Sequence, residues 1–161
     1  GYTAYSYVAD AVAVRPASID VAVTFQVIEH VLNPSAFLSE IAALLKPGGT
    51  LIIATPNHED ILMKLLPEEF PPFYYRTFHR WYFDRASLLR CVENVEGLHV
   101  ESERYLHGFG MSNAFFWMKD RKPKGQIRLP GINSSADSLW INYLETTGQA
   151  DTLYILARKA S

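Results

Sequence analysis

Residues 19–57 have the sequence IDVAVTFQVIEHVLNPSAFLSEIAALLKPGGTLIIATPN, and this stretch decides the fold. Its first ten residues are mostly apolar on both alternating faces, which is typical of a strand covered on both sides in a parallel sheet. Asn33 and Pro34 suit the N-cap and the first position of a helix, and residues 47–49 (PGG) suit its end. Residues 50–55 form a second buried strand. A strand–helix–strand unit with such short connections predicts a right-handed parallel crossover.

The rest of the chain supplies weaker signals of the same kinds. Ahead of the unit, a β-branched and aromatic composition predicts a strand at residues 2–8. After the unit, we expect a short helix capped by Asn57 and then an irregular, proline-rich stretch. The remaining predicted elements are a helix capped by Asp84, an edge strand at 98–106, helices at 113–119 and 137–145, and a last strand at 152–157.

The composition narrows the class of protein. A length of 161 residues is enough for one domain. A net charge of -2 does not predict a nucleic-acid partner, which is usually marked by a basic surplus. No apolar run reaches the roughly 18 residues that would span a membrane. The single cysteine, Cys91, excludes an internal disulfide and favours a reducing compartment, so we expect a cytoplasmic protein.

The ordered signals of residues 18–57 resemble a known family. The apolar strand, the Glu29-His30 pair, Asn33-Pro34 and the Lys-Pro-Gly-Gly joint follow one another as in the fourth-strand to fifth-strand segment of class I S-adenosylmethionine-dependent methyltransferases. The resemblance is particularly to the group that includes quinone-biosynthesis and sugar or polysaccharide methyltransferases. It implies an α/β, Rossmann-like methyltransferase fold, with a mostly parallel sheet and an antiparallel last strand, and S-adenosylmethionine as the cofactor.

Two features of that family have no counterpart in this sequence: the glycine-rich turn after strand one and the carboxylate after strand two. The resemblance therefore implies a single partial domain over residues 1–161 that lacks the first strands, with an insertion at about residues 107–150. In such a domain the strand at residues 19–28 is an exposed apolar edge. We expect residues 2–8 to pair with it, or a second copy of the chain to cover it in a homodimer. We also expect the isolated chain to bind the cofactor weakly or not at all.

Four residues are expected to contact the cofactor. By resemblance, Asp10 and Ala11 lie at the end of the third strand, where an acidic residue of the family accepts the adenine amino group. Phe25 and Gln26 match positions that line the cofactor pocket in relatives. The alternatives are an ordinary turn aspartate at Asp10 and a plain core residue at Phe25.

His30 and His79 are the candidate catalytic residues. His30 follows a strand at the carboxyl end of the sheet, where an imidazole can position substrate or act as a base. The alternative is that Glu29 and His30 only cap the next helix. His79 is polar among hydrophobic residues and needs a partner. No metal is predicted, because neutral Gln26 replaces the acid that some relatives place three residues before the Glu-His pair.

An aromatic-rich segment, residues 73–82, is the candidate substrate lid. Tyr75, Arg76 and Trp81 offer aromatic faces and a guanidinium group that suit a sugar or another polar ring, so we expect them to bind substrate. The alternative for most of these side chains is that they pack a proline-rich loop onto the sheet.

The predicted reaction is transfer of a methyl group from S-adenosylmethionine to a small polar acceptor, such as an oxygen of a sugar or related metabolite. An in-line displacement at a sulfonium methyl needs alignment and a base, which a nearby histidine can provide. The alternative from another class is a non-catalytic remnant that dimerises through its sheet edge. An NAD(P)-dependent Rossmann enzyme fits the Lys-Pro-Gly-Gly joint less well. The expected partner is a small molecule, with no nucleic acid and no membrane.

Overall fold

Four strands form one sheet in the computed structural model, which describes residues 1–161. They are β1 (Ile19–Phe25), β2 (Leu45–Pro56), β3 (Leu98–Leu106) and β4 (Thr152–Lys159), in the spatial order β1-β2-β4-β3. β1 pairs with β2 in parallel, whereas β4 is antiparallel to both β2 and β3. Three strands therefore run in one direction and the last strand in the other, which confirms the predicted mostly parallel sheet with an antiparallel last strand.

The helices confirm the strand–helix–strand unit and most of the predicted caps. They are α1 (Val8–Val14), α2 (Pro34–Leu44), α3 (Ile61–Leu65), α4 (Pro71–Tyr74), α5 (Arg85–Glu93), α6 (Met111–Asp120) and α7 (Ser134–Thr146). Asn33 caps α2, since its Oδ1 accepts a hydrogen bond from the Ala36 N–H at 3.1 Å. Asp84 caps α5 through reciprocal hydrogen bonds with Ser87. None of these helices is both long enough and apolar enough to span a bilayer.

The prediction of a strand at residues 2–8 is wrong, because α1 begins at Val8 and the residues before it form no strand. Local signals favour the helix: the Asp10 carboxylate accepts a hydrogen bond from the Tyr7 N–H at 3.2 Å, and three alanines raise the helix propensity. Residues 2–8 consequently do not pair with β1. The placement of Asp10 and Ala11 at the end of a third strand is wrong for the same reason.

The first two strands differ in extent from the prediction. β1 ends at Phe25 rather than at residue 28, because Gln26 adopts a left-handed backbone conformation with φ 54°. β2 begins at Leu45 and includes the glycines that were expected to end the preceding helix. Gly48, with φ 73°, allows the chain to change direction within this stretch.

Two hydrophobic clusters hold the helices in place. The larger cluster fills the space between the sheet, α2 and α5, and includes Ile28, Leu38, Leu51, Ile53, Leu88, Val92, Leu153 and Ile155. The smaller cluster joins α3 and α4 to α6 and α7, through Ile61, Leu62, Leu66, Phe70, Ala114, Trp117, Leu144 and Ala150. Each fully buried Leu or Ile stabilises the fold by about 1.5–3 kcal/mol. The segment predicted as an insertion thus packs on the loop after β2 through a core of its own.

β1 forms an edge of the sheet and is covered on one face. It pairs with β2 alone. On its other face, the side chains of Val21, Val23 and Phe25 are 55%, 58% and 52% exposed. The predicted apolar edge is therefore present. The sequence pattern indicated that both faces of this strand would be covered, but only one face is.

Candidate functional site

The carboxyl ends of β1 and β2 lie side by side, because these two strands are parallel. The chain leaves β1 at Gln26, whose N–H donates to the Ala54 carbonyl oxygen at 2.8 Å. A turn closed by a hydrogen bond from the His30 N–H to the Val27 carbonyl oxygen, at 2.9 Å, then places Glu29 beside β2. Open α/β sheets bind their ligands at this end of the strands.

Glu29 is a buried carboxylate with one satisfied oxygen. Its side chain is 1% exposed, and its Oε2 accepts a hydrogen bond from the Thr55 hydroxyl at 3.0 Å. Its Oε1 has no hydrogen-bond partner, and His30 Nε2 lies 3.8 Å away from it. Because a buried carboxylate oxygen without a partner is costly, this atom indicates a place where a proton or a positive charge is stabilised.

His30 is held in one orientation by the segment that crosses above it. Its Nδ1 lies 3.0 Å from the Phe78 carbonyl oxygen, and its ring stacks on Phe78 with the centroids 5.6 Å apart. A carbonyl oxygen can only accept, so Nδ1 carries the hydrogen and the neutral ring has its lone pair on Nε2. With a side chain that is 37% exposed, His30 can present this basic nitrogen to a small molecule.

His79 joins His30 and Glu29 in one cluster. The two imidazole centroids are 4.7 Å apart. Burial lowers the pKa of His79, and the neighbouring His30 lowers it further. Ligand atoms of Glu29, His30 and His79 lie within 4.8 Å of one another, so these three residues could hold a metal ion. Gln26, whose neutral amide was the reason for predicting no metal, is not in this cluster.

The predicted substrate residues are tied into the loop that covers the cluster. The Glu29 carbonyl oxygen accepts hydrogen bonds from the N–H groups of Arg80 and Trp81, at 2.8 and 3.2 Å. The Trp81 Nε1–H donates to the Val31 carbonyl oxygen at 2.9 Å. The Tyr75 hydroxyl lies 2.9 Å from His58 Nε2. These contacts hold the loop in place, as the packing alternative expects.

Arg76 is also engaged by its own loop. Its N–H donates to the Tyr82 hydroxyl at 2.7 Å, and the same hydroxyl donates to its carbonyl oxygen at 2.9 Å. The guanidinium carbon lies 4.3 Å from the centre of the Phe73 ring, which is a cation–π contact. Tyr75 and Trp81 nevertheless remain 47% and 43% exposed, so their ring faces are accessible from solvent.

Of the four predicted cofactor residues, the structure brings two together. Ala11 and Phe25 line an open, mainly apolar cavity of about 500 Å³ between α1, β1 and α2. Phe25 is half exposed, so the interpretation of this residue as plain core is wrong. Asp10 and Gln26 do not line the cavity, and the Asp10 carboxylate instead caps the start of α1.

The predicted helix cap at Asn57 is wrong. Asn57 is fully buried, and its amide donates to the carbonyl oxygens of Gly148 and Ala150 at 3.0 and 2.8 Å. Asp60 caps α3 in its place, with Oδ1 accepting from the Leu62 N–H at 2.8 Å. Asn57 therefore ties the end of β2 to the segment that precedes β4.

Sequence reasoning missed the polar residues Thr55 and Asp60. Burial raises the pKa of Asp60 to about 7, and the negative charge of Asp151 adds to this rise, whereas the hydrogen bond from Leu62 opposes it. A signal for each was present, since Thr55 ends an apolar strand and Asp60 stands immediately before an apolar helix. The sequence does not show that Glu29 accepts the hydrogen bond from Thr55 or that Asp151 lies near Asp60, because both of these neighbours are distant in sequence.

Comparisons with known proteins agree with this architecture. A family model described as a methyltransferase domain matches residues 5–103. A "probable S-adenosylmethionine-dependent methyltransferase" of Mycolicibacterium smegmatis is 35% identical over 97 residues, which cover 60% of this chain and 35% of that protein. A ubiquinone biosynthesis O-methyltransferase of Rhodopseudomonas palustris is 33% identical over 103 residues, which cover 57% of this chain and 33% of that protein. The chain thus spans about a third of the length of these curated relatives.

Solved structures show the same fold. A SAM-dependent methyltransferase from Archaeoglobus fulgidus superposes with a TM-score of 0.57 at 13% identity, covering 97% of this chain and 66% of that one. Another from Methanosarcina mazei superposes with a TM-score of 0.52 at 15% identity, covering 98% and 63%. At such identities the likeness concerns the arrangement of helices and strands, which is that of a Rossmann-like methyltransferase.

Proposed function

We propose that this chain, which belongs to the family of class I S-adenosylmethionine-dependent methyltransferases, carries part of an active site for methyl transfer. The accepting atom in this proposal is an oxygen of a small molecule. The observation that supports this function is the buried Glu29 carboxylate beside the oriented His30, at the carboxyl ends of two parallel strands. The name of the Rhodopseudomonas relative, an O-methyltransferase, favours oxygen as the accepting atom. A hydroxyl of a sugar or a related metabolite remains our proposed acceptor.

In this proposal, residues of the chain manage the proton of the acceptor. Bound S-adenosylmethionine supplies an electrophilic methyl carbon, and the acceptor hydroxyl loses its proton as its oxygen bonds to that carbon and the carbon–sulfur bond breaks. His30 takes this proton on Nε2, because its Nδ1–H is held by the Phe78 carbonyl. The carboxylate of Glu29, with Oε1 3.8 Å from Nε2, stabilises the resulting imidazolium.

The other predicted site residues also have roles in the proposed reaction. His79 packs against His30, and burial keeps it uncharged near neutral pH, so a second positive charge does not oppose the proton transfer. The exposed faces of Tyr75 and Trp81, with Arg76 between them in sequence, are proposed to border the acceptor. We also propose that residues 1–161 form one partial domain, with residues 107–150 as its insertion.

Ala11 and Phe25 are the residues proposed to hold the cofactor, since they line the open cavity beside β1. The proposed role of Gln26 rests on its sequence position alone, whereas that of Asp10 loses its basis because Asp10 lies in α1 and not at the end of a strand. Because this cavity offers a mainly apolar wall, we expect the isolated chain to bind S-adenosylmethionine with a Kd of about 1 mM or weaker, measured by titration calorimetry. Micromolar binding by the isolated chain would contradict this expectation.

The function itself is tested by transfer of a labelled methyl group. The chain is incubated with S-adenosylmethionine well above the measured Kd and with a hydroxylated acceptor, and the product is counted. We expect slow transfer that depends on the folded chain and stops when S-adenosylhomocysteine is added. Saturation of the chain with the methyl donor but no transfer to any hydroxylated acceptor would overturn the proposal.

A second candidate function, a non-catalytic assembly module, is favoured by the exposed apolar face of β1. Val23 is 58% exposed on a strand with one pairing partner, so a second copy of the chain could cover it. We expect Val23→Lys to weaken self-association at least about tenfold, measured by light scattering over a concentration series, because a lysine cannot be buried unpaired in such an interface. Ile127→Lys, at a similarly exposed site, is the control and is expected to change nothing. A monodisperse monomer before any substitution would exclude this function.

A further inference from the structure

A second cavity, of about 200 Å³, lies between the loop after β2 and the helices α6 and α7. None of the residues that line it belongs to the cluster of Glu29, His30 and His79. Its walls are mainly hydrophobic and include the aromatic residues Phe70, Phe73, Phe109, Trp117 and Trp140. Apolar cavities of about 150 Å³ accept a molecule the size of benzene. This cavity therefore has room for one substituted six-membered ring.

Two residues of the cavity wall, Tyr74 and Trp140, each carry a hydrogen-bond donor without a partner. The Tyr74 hydroxyl and the Trp140 Nε1 are buried, and neither makes a hydrogen bond within the chain. Burial raises the pKa of Tyr74, so its hydroxyl keeps the proton that it can donate. Burying a polar group without a hydrogen-bond partner costs free energy of folding. Two such groups in the wall of one cavity therefore suggest that a bound molecule pairs with them.

The ionisable residues of the cavity wall disfavour an anion. Asp60 and Asp151 line it, and no lysine or arginine does. His107 is also in the wall, where its Nδ1 accepts a hydrogen bond from the Asp151 N–H at 3.2 Å. Burial lowers the pKa of His107, so the ring is neutral near pH 7 and provides no positive charge. A neutral ligand with hydrogen-bond acceptors is the chemistry that these walls fit.

We propose that this cavity binds a neutral aromatic molecule that carries a hydroxyl or carbonyl oxygen, with the ring between the aromatic walls and the oxygen accepting from Tyr74 and Trp140. The binding goes beyond methyl transfer, since no residue of the wall takes part in the proposed reaction and no methyl donor is required. It also gives the helices α6 and α7 a role, because together they provide Ala114, Trp117 and Trp140.

The test uses three fluorinated probes, observed by fluorine NMR line broadening in titrations of the whole chain. They are 4-fluorophenol, the apolar match 4-fluorotoluene and the charged match 4-fluorobenzoate. We expect 4-fluorophenol to bind at least about tenfold more tightly than 4-fluorobenzoate, because the carboxylate would face two acids without a cation. Absence of 4-fluorophenol binding, or equal affinity for 4-fluorobenzoate, would overturn the proposal.

Two substitutions locate the binding. Tyr74→Phe removes the hydroxyl and keeps the ring, so the Kd of 4-fluorophenol is expected to rise about tenfold while that of 4-fluorotoluene stays constant. Ala114→Leu, which fills the cavity, is expected to abolish binding of both probes. Tyr143→Phe on α7, where the side chain is 51% exposed, is the matched control and is expected to alter neither Kd.

A stability measurement separates a ligand site from a structural hydrogen bond. Tyr74→Phe breaks no hydrogen bond of the chain, so its unfolding temperature without ligand is expected to equal or exceed that of the unmodified chain. If Ala114→Leu does not fold, the Tyr74→Phe titration alone decides. An unchanged Kd for 4-fluorophenol in Tyr74→Phe, or a fall of several degrees in its unfolding temperature, would contradict the proposal.

Discussion

Replacing Asp60 with asparagine is expected to raise the free energy of unfolding at about pH 8 by up to about 4 kcal/mol. Burial raises the pKa of the Asp60 carboxyl from 3.8 to about 7, a rise of about three units, and each unit corresponds to about 1.4 kcal/mol. Asparagine stays neutral and has the same acceptor oxygen, so it can keep the hydrogen bond from the Leu62 N–H. The cost of a buried charge is removed and the helix cap remains.

The sign of the pH dependence follows from the direction of the shift. Because the folded-state pKa is raised, the contribution of Asp60 to stability is fully present below pH 3.8 and is lost as the pH rises through about 7. The difference in unfolding free energy between the variant and the unmodified chain should therefore be small near pH 4 and grow until about pH 7. Denaturant unfolding of both proteins at intervals between these values measures it.

Asp84→Asn is the matched control, since Asp84 also caps a helix but its pKa is shifted the other way. Hydrogen bonds from the Ser87 hydroxyl and the Ser87 N–H lower the pKa of Asp84. Its contribution is therefore present above pH 3.8 and is lost as the pH falls through the lowered pKa, so the substitution should reduce stability near neutral pH. A pH-independent difference for Asp60→Asn, or the same sign for both variants, would contradict the assignment.

The strand–helix–strand unit could be predicted from the sequence because its signals are local. Asn33 and Pro34 specify the start of α2 through contacts within four residues, and Asp84 does the same for α5 with Ser87. The helix α1 was not predicted from the sequence, because two local signals in this region disagree. The β-branched and aromatic residues at 2–8 favour a strand, and the capping carboxylate of Asp10 favours the helix that the structure contains.

The parts that could not be predicted depend on contacts between distant residues. Asn57 and Asp60 are both good helix caps, and Asp60 is the one that caps α3. The Asn57 amide instead donates to the carbonyl oxygens of Gly148 and Ala150, more than 90 positions away. The parallel strands predict that residues after β1 and β2 meet at one edge. They do not predict that Thr55 donates to Glu29, because this depends on which faces turn inward.

His30→Gln is expected to lower the rate of methyl transfer about a hundredfold to ten-thousandfold, the usual contribution of a positioned general base. Glutamine keeps an uncharged polar side chain of similar size beside the Phe78 carbonyl oxygen, the partner that holds the imidazole. It has no basic nitrogen to take the proton of the acceptor, so the maximal rate should fall while the affinity for S-adenosylmethionine changes less than about twofold. Initial rates at saturating methyl donor and acceptor, together with calorimetry, measure the two quantities separately.

Chemical rescue distinguishes this role from a structural one. The His30 side chain is 37% exposed, so imidazole added to a His30→Ala variant can reach the space that the ring leaves, and part of the lost rate should return. His99→Gln makes the same change on an exposed face of β3 and is expected to leave the rate unchanged. A rate for His30→Gln equal to that of the unmodified chain, or a loss explained entirely by weaker cofactor binding, would contradict the role of His30 as the base. In that case the next arrangement to test would be a metal ion bound by Glu29, His30 and His79.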